Sequence, residues 1–373
     1  MEVTMLSFRE AGAADFDAWN NFIAQSPNGN LRQTTYWGKV KSYSGWEPCY
    51  YLVERDGEIK AVALVQERNI PAVPQKLLYC CRGPVADWRD QETCEALFTG
   101  LKGVLKEKRG FLLRIDPEPF SWEIDQDQVF SASGFLKLSD RCTAWNRTLY
   151  TTRVILDLDE EGLFMRMRRS HRQNINSAIK GGVVTRHEPD SDDPEVFAAL
   201  MQGLELRRNS MLHSSQYYGE VLNNLVNSGI GFFLKAKIEG RTVSGLVVSI
   251  LGDKGWAVFM ANDYSYRKLM PNKVLLWEAI RLSKKMGCRF LDLGASQGSD
   301  DFDPAHDPLD NLKSAYRPEI VHYPGYFDLP NSFYPFFRVT ESKVLPALWK
   351  WRMKVQRLTH RNGMEERARA APG

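Results

Sequence analysis

Cations and carboxylates that could do chemistry lie in a few places along the chain. Between 166 and 180 stand Arg166, Arg168, Arg169, Arg172 and Lys180, with His171 among them, against a net charge of only +3 over 373 residues. Cations that dense either solvate one face of a helix or cradle nucleic-acid phosphates. Binding of the second kind weakens steeply with salt. Asp292 sits inside an apolar run, Phe290-Leu-Asp-Leu-Gly294. A carboxylate buried there needs a partner, and a structural cap is the simpler reading than a site residue. Asp116 ends the run Gly110-Phe-Leu-Leu-Arg-Ile115 beside Pro117. It reads as a strand-end turn residue or as a carboxylate able to orient or deprotonate an amine. Lys41 follows Trp37 by four residues, so both share one side of a helix. Lys313 by itself reads as a surface lysine at a helix start.

These residues need elements to place them. Apolar periodicity predicts helices over 14–24, 31–41, 92–106, 163–180, 194–208, 216–227 and 274–286. Strand-like runs fall at 50–53, 59–65, 77–81, 110–115, 152–156, 231–238, 243–251 and 256–260. Turns are expected at Asp56-Gly57, at Glu239-Gly-Arg241 and at Gly252-Asp-Lys-Gly255. Length allows two domains.

The order of two strands, a helix and a buried strand over 242–313 resembles the core of an N-acetyltransferase-like fold. In that fold the helix opens on a glycine-containing loop whose N–H groups hold the coenzyme A pyrophosphate. Here the nearest match is Arg267-Lys-Leu-Met-Pro-Asn272. The glycine-type positions are lost, and Pro271 removes a donor. The expectation is an acyltransferase fold without coenzyme A.

Several short motifs carry a family resemblance. They are Ser26-Pro-x-Gly, Gln33-x-x-x-Trp37-x-x-x-Lys41, Gly45-Trp46, Arg82-Gly-Pro84, Arg114-x-Asp116-Pro117, the basic Arg168 to Gly182 segment, Asp292-x-Gly294 and Leu312-Lys313. In this order they resemble the Fem-type aminoacyl-tRNA-dependent transferases, which add amino acids to the stem peptide of peptidoglycan precursors. The resemblance runs over residues 20–327. It implies an α/β chain of two N-acetyltransferase-like (GNAT) domains with mixed central sheets, and no heptad run suggests a coiled-coil arm. It implies a first domain over 1–149 completed by 322–373, and a second over 150–321.

By the same resemblance Lys313 matches the lysine of the family's Phe-Lys motif, with Leu312 in place of the aromatic. It would stabilise the oxyanion, and Asp116 would serve the acceptor amine. Lys41, Trp37, Arg208 and Tyr218 would bind the precursor. Arg208 would stand in for an arginine that some relatives carry where Ser214 lies here. Arg168, Arg169, Arg172 and Lys180 would meet tRNA. An aminoacyl ester is already activated, so positioning and a charge near the oxyanion suffice, with no metal or cofactor. The acceptor is left open between UDP-MurNAc-pentapeptide, the lipid-linked form (lipid II) and an amine outside the cell wall. A non-catalytic RNA- or membrane-binding module is the remaining alternative.

Composition is that of an ordinary globular protein, with 43% apolar and 25% charged residues. Six cysteines show no metal-ligand spacing, and the N-terminus has no apolar signal region. Reduced thiols in a cytoplasmic protein are the expectation. In 344–358, Leu348, Trp349, Trp351, Met353 and Val355 mix with Lys350, Arg352, Lys354 and Arg357. That mixture fits an interfacial helix on anionic lipid at the inner face of the membrane, or a core-packing C-terminal helix.

Overall fold

The computed structural model describes residues 6–70, 74–119, 124–138, 149–191, 193–208, 210, 212–296 and 308–344, with 347, 351 and 355 beyond them. The first half runs β1 (Ser7–Glu10), α1 (Phe16–Gln25), α2 (Thr35–Ser42), β2 (Glu47–Arg55), β3 (Glu58–Asn69), β4 (Lys76–Cys81), β5 (Val85–Ala86), α3 (Gln91–Glu107), β6 (Gly110–Asp116), α4 (Gln126–Ala132) and β7 (Leu136–Lys137). The second runs β8 (Tyr150–Ile155), α5 (Glu160–Arg166), α6 (Arg169–Lys180), β9 (Val184–Arg186), α7 (Asp193–Arg208), α8 (Ser215–Leu222), β10 (Gly231–Ile238), β11 (Arg241–Leu251), β12 (Lys254–Asn262), α9 (Pro271–Lys285), β13 (Phe290–Ser296), α10 (Pro308–Ser314) and β14 (Glu319–His322). Two further elements follow, β15 (Phe327–Pro330) and α11 (Tyr334–Val339).

Two sheets form. One has the order β1-β2-β3-β4-β6-β15-β7, with β5 on β3; the other has β14-β8-β13-β12-β11-β10-β9. Each is antiparallel except for one parallel pair, β4 with β6 and β12 with β13, each joined through a crossover helix. The hairpin turns sit where the sequence placed them. Asp56 and Gly57, and Glu239 and Gly240, all adopt positive φ, as two-residue turns between strands require. The helix expected over 163–180 is instead two, α5 and α6, broken at Met167 with ψ 155°. Met167 is buried in the core there, and the Arg172 guanidinium bonds the carbonyls of Met165 and Met167.

β15 returns the chain to the first sheet, pairing antiparallel with β6. Arg114 of β6 locks that return. Its guanidinium meets Asp328 at 2.7 and 2.8 Å and Glu341 at 2.6 Å, all three fully buried.

One apolar cluster bridges both halves, with Trp19, Ile23 and Trp37 against Phe197, Tyr217, Tyr218 and Trp256. Lys254 crosses the same seam and donates to the carbonyls of Ala24 (3.0 Å) and Ser26 (2.7 Å) at the end of α1. Burial pulls its pKa down to about 8. Gly252 admits this approach, because a Cβ there would meet the Ala24 carbonyl oxygen at 2.5 Å and its φ is +59°.

Candidate active site

The second sheet opens at its centre. β12 and β13 pair at Lys254–Phe290, Gly255–Leu291 and Trp256–Asp292, and make no further pairs although they run on to Asn262 and Ser296. A bulge shifts the β11–β12 register beyond Val247. Asp292 shapes the end of β13. Its Oδ1 accepts from Thr151 Oγ1 (2.6 Å) and from the N–H of Gly294 (2.8 Å), which has φ +85°. Lys313 on α10 reaches this turn. It is 4% exposed, and its ammonium donates to the carbonyls of Gly294 (3.2 Å) and Ala295 (2.5 Å). A cation is thus fixed by backbone dipoles at the opening.

An ionic chain leads from there across the seam. Arg153 Nε donates to Asp292 (3.1 Å), and its second arm donates to Glu118 of the first half (2.8 Å). Burial opposes the Arg153 charge, yet Glu118 and Asp292 hold it firmly protonated. Asn30 donates to the other Glu118 oxygen. Beside this lies Arg82, its guanidinium 3.4 Å from the centre of the Tyr323 ring. Burial pushes the Tyr323 hydroxyl pKa up.

Asp116 belongs to this cluster, 1% exposed. It accepts from Tyr79 (2.9 Å) and from the Arg82 N–H (2.6 Å), with the Arg82 guanidinium at 3.4 Å. Through these contacts Asp116 holds both the backbone turn and the guanidinium of Arg82 in place. Arg153 and Glu118 were missed in the sequence. The signal was an arginine within the apolar strand Thr152-Arg-Val-Ile-Leu156, as telling as Asp292 in β13.

A second group lines the seam nearer α2. Thr34 caps α2 by accepting from the Trp37 N–H. The buried Trp37 ring then faces Lys41 at 5.9 Å and Arg32 at 5.4 Å. Tyr218 shares the apolar cluster with Trp37, but it is buried and its hydroxyl donates to Glu205. It therefore forms the wall and does not reach for a ligand. Glu205 also accepts from His213 Nδ1 (2.6 Å), whose ring stacks on Tyr217 at 4.4 Å. This glutamate–histidine pair went unnoticed in the sequence. Ser214 caps α8, and Arg208 is exposed at the end of α7.

The basic helix adjoins the Lys313 helix. The Arg168 N–H donates to the Ala315 carbonyl (3.0 Å), and the His171 ring lies 4.7 Å from Tyr316. Burial, then Lys273 and Arg168, pull the His171 pKa down to about 4. Arg169 and Lys180 are exposed and Arg168 is half-buried. Arg172 is spent on closing α5, so it braces the patch instead of extending it.

Neither crossover helix begins with an open anion cradle. α9 starts on Pro271 after Met270 at φ +51°. α3 is capped by Asp90, which accepts from the Thr93 N–H (3.0 Å) and hydroxyl (2.7 Å). Among the described residues no His, Cys, Asp and Glu group could hold a metal ion. The five described cysteines are buried and form no disulfide with one another, and Cys142 lies outside the described residues.

Comparison with known proteins agrees with this geometry. A model of the FemAB family matches residues 15–239 and 231–341. The lipid II:glycine glycyltransferase of Staphylococcus epidermidis is 24% identical over 407 residues, covering 90% of this chain and 96% of that protein. Its Staphylococcus aureus counterpart is 23% identical over 412 residues, with the same coverage. Among solved structures, FemX superposes with a TM-score of 0.79 at 20% identity, covering 90% of this chain and all of FemX. A tandem GNAT protein from the clavulanic acid biosynthesis pathway superposes at 0.52 and 13% identity, over 87% of this chain. The fold is thus two N-acetyltransferase-like units.

Proposed function

The chain belongs to the FemAB family, and on that premise we propose that it moves an amino acid from an aminoacyl-tRNA to an amine of a peptidoglycan precursor's stem peptide. The observation that carries this reading is Lys313, a buried cation fixed at the open end of β12 and β13 beside the first turn of a basic helix.

The unprotonated acceptor amine attacks the ester carbonyl carbon. The carbon–oxygen bond to the tRNA ribose then breaks, and the proton lost by the amine ends on the ribose hydroxyl. Lys313 offsets the charge that gathers on the carbonyl oxygen between these events. Arg168, Arg169 and Lys180 meet phosphates of the acceptor stem. Lys41 and Arg32, both against the Trp37 ring, take the phosphates of the precursor together with the exposed Arg208. Asp116 positions Arg82 at the seam. Coenzyme A has no part: Pro271 removes a donor from α9, and Asp90 puts a carboxylate where a pyrophosphate would sit on α3.

The lipid-linked acceptor is favoured, because the staphylococcal relatives are named for lipid II. Among the described residues no helix is long and apolar enough to cross a membrane. Of the 344–358 segment only the backbone of 344 and residues 347, 351 and 355 are described.

A panel of charged tRNAs incubated with lipid-linked and nucleotide-linked stem peptides, read by mass, tests the reading. It predicts addition of one or more amino-acid masses to the lipid-linked peptide with a subset of tRNAs. Addition of an acetyl mass from acetyl-CoA, and none from any charged tRNA, would overturn it.

A further inference from the structure

The end of the first sheet remote from Asp116 carries a surface that the transfer does not use. β6 begins there at Gly110, so its seven residues put roughly 20 Å between this end and the strand tips. Asn331 anchors the chain to the Gly110 carbonyl just before α11. One side of α11 is core, with Phe337 buried 5.5 Å from Phe111 and packed with Leu77 and Leu112. The other side is bare: Phe336 is 62% exposed, Val339 56%, and Phe333, just before the helix, 48%.

Phe333 also lines a groove of about 580 Å³ with Lys102, Lys106 and Arg109 from the end of α3. Lys102 and Lys106 are four residues apart and so share one side of α3, and Arg109 follows just past the end of the helix. No carboxylate lines the groove, and no ion pair involving the three is seen among the described residues. Further on, Trp351 is 65% exposed, and the sequence carries Lys343, Lys350, Arg352, Lys354, Arg357 and Arg361 with no acid between Glu341 and Glu365. Bare aromatics beside unopposed cations match a bilayer interface with anionic headgroups. A nucleic acid would use the cations but give no reason to expose Phe336 and Val339.

α2 relates this surface to the site. Gln33, just before α2, donates to the Cys81 carbonyl (2.7 Å) at the strand tips. Trp46, just after α2, packs into the small core beneath α11. Lys41, in the last turn of α2, therefore stands between the apolar patch and the tips. Patch, Lys41 and strand tips follow one another in the order of lipid tail, phosphates and stem peptide in a lipid-linked precursor.

We propose that the protein docks on an anionic bilayer with Phe333, Phe336 and Val339 in the lipid interface and with Lys102, Lys106 and Arg109 on lipid phosphates. The orientation, though not the docking itself, rests on the lipid-linked acceptor proposed above. The test is co-sedimentation of the full chain, without tRNA or acceptor, on phosphatidylcholine vesicles with and without phosphatidylglycerol. Binding is expected only with phosphatidylglycerol, and it should weaken with salt. Phe333→Ser with Phe336→Ser should weaken it by at least about tenfold. Lys102→Gln with Lys106→Gln should cost roughly fivefold per charge. Both variants should keep the wild-type melting temperature and full transfer to a detergent-solubilised acceptor. Equal binding to neutral vesicles, no binding at all, or variants that bind like wild type would overturn the docking. So would a lysine variant that loses tRNA affinity and keeps its vesicle binding. Binding as expected in a chain that transfers nothing would sustain the docking and remove the transferase reading.

Discussion

β4, α3 and β6 repeat the path of β12, α9 and β13: strand, crossover helix, parallel strand. In the first set the strands stay paired to their tips, Cys81 opposite Asp116, and the space beyond is filled by Arg82, Asp116 and Tyr323. In the second set pairing stops at Trp256–Asp292, and a lysine from a later helix stands at the gap. The crossover helices start differently too, one capped by Asp90 and the other beginning on Pro271. The same path forms a closed brace in one half and leaves its strands unpaired at the tips in the other. The closed half backs the splayed strands through Glu118, which shares Arg153 with Asp292 of β13.

Breaking the brace should give the largest effect. Arg153→Met leaves Glu118 and Asp292 buried without their shared cation, at a cost of about 3–5 kcal/mol, read as a lower urea midpoint. An unchanged midpoint would mean the halves do not depend on this contact. Emptying the open site comes next. Lys313→Ala should lower kcat by about 10²–10³-fold with KM little changed, and a KM effect alone would make Lys313 a binding residue.

Acid should weaken the open half in particular. His171 is neutral in the fold, with its pKa pulled from 6.5 to about 4. The unfolded chain therefore binds the extra proton between these values. The contribution is complete above pH 6.5 and is lost as pH falls toward 4, about 3 kcal/mol in all. His171→Gln should flatten that slope in denaturation midpoints taken across the window. The smallest effect belongs to the closed half: Asp90→Ala should cost about 1 kcal/mol in stability and leave transfer untouched.

Much of this was legible in the sequence because it is local. Turn residues at Asp56-Gly57 and Glu239-Gly240 and the order of strands and helices all follow from neighbours along the chain. Lys313 was reached only through its motif, since nothing within a few residues of it distinguishes a buried cation from a surface one. What escaped depends on distance in sequence. Arg153 meets Glu118 and Asp292 from 35 and 139 residues away, and Glu205 claims the Tyr218 hydroxyl that looked available to a ligand. Arg172 looked like one more phosphate ligand, because the break at Met167 is set by core packing and not by a proline or glycine.

The central claim is that a tRNA 3′ end enters the open half at Lys313. Periodate converts that end to a dialdehyde, which borohydride fixes to a nearby amine. Peptide mapping after labelling with oxidised tRNA should find the adduct on Lys313, and uncharged intact tRNA should suppress it. Labelling confined to lysines of the closed half, or none that intact tRNA suppresses, would contradict the account.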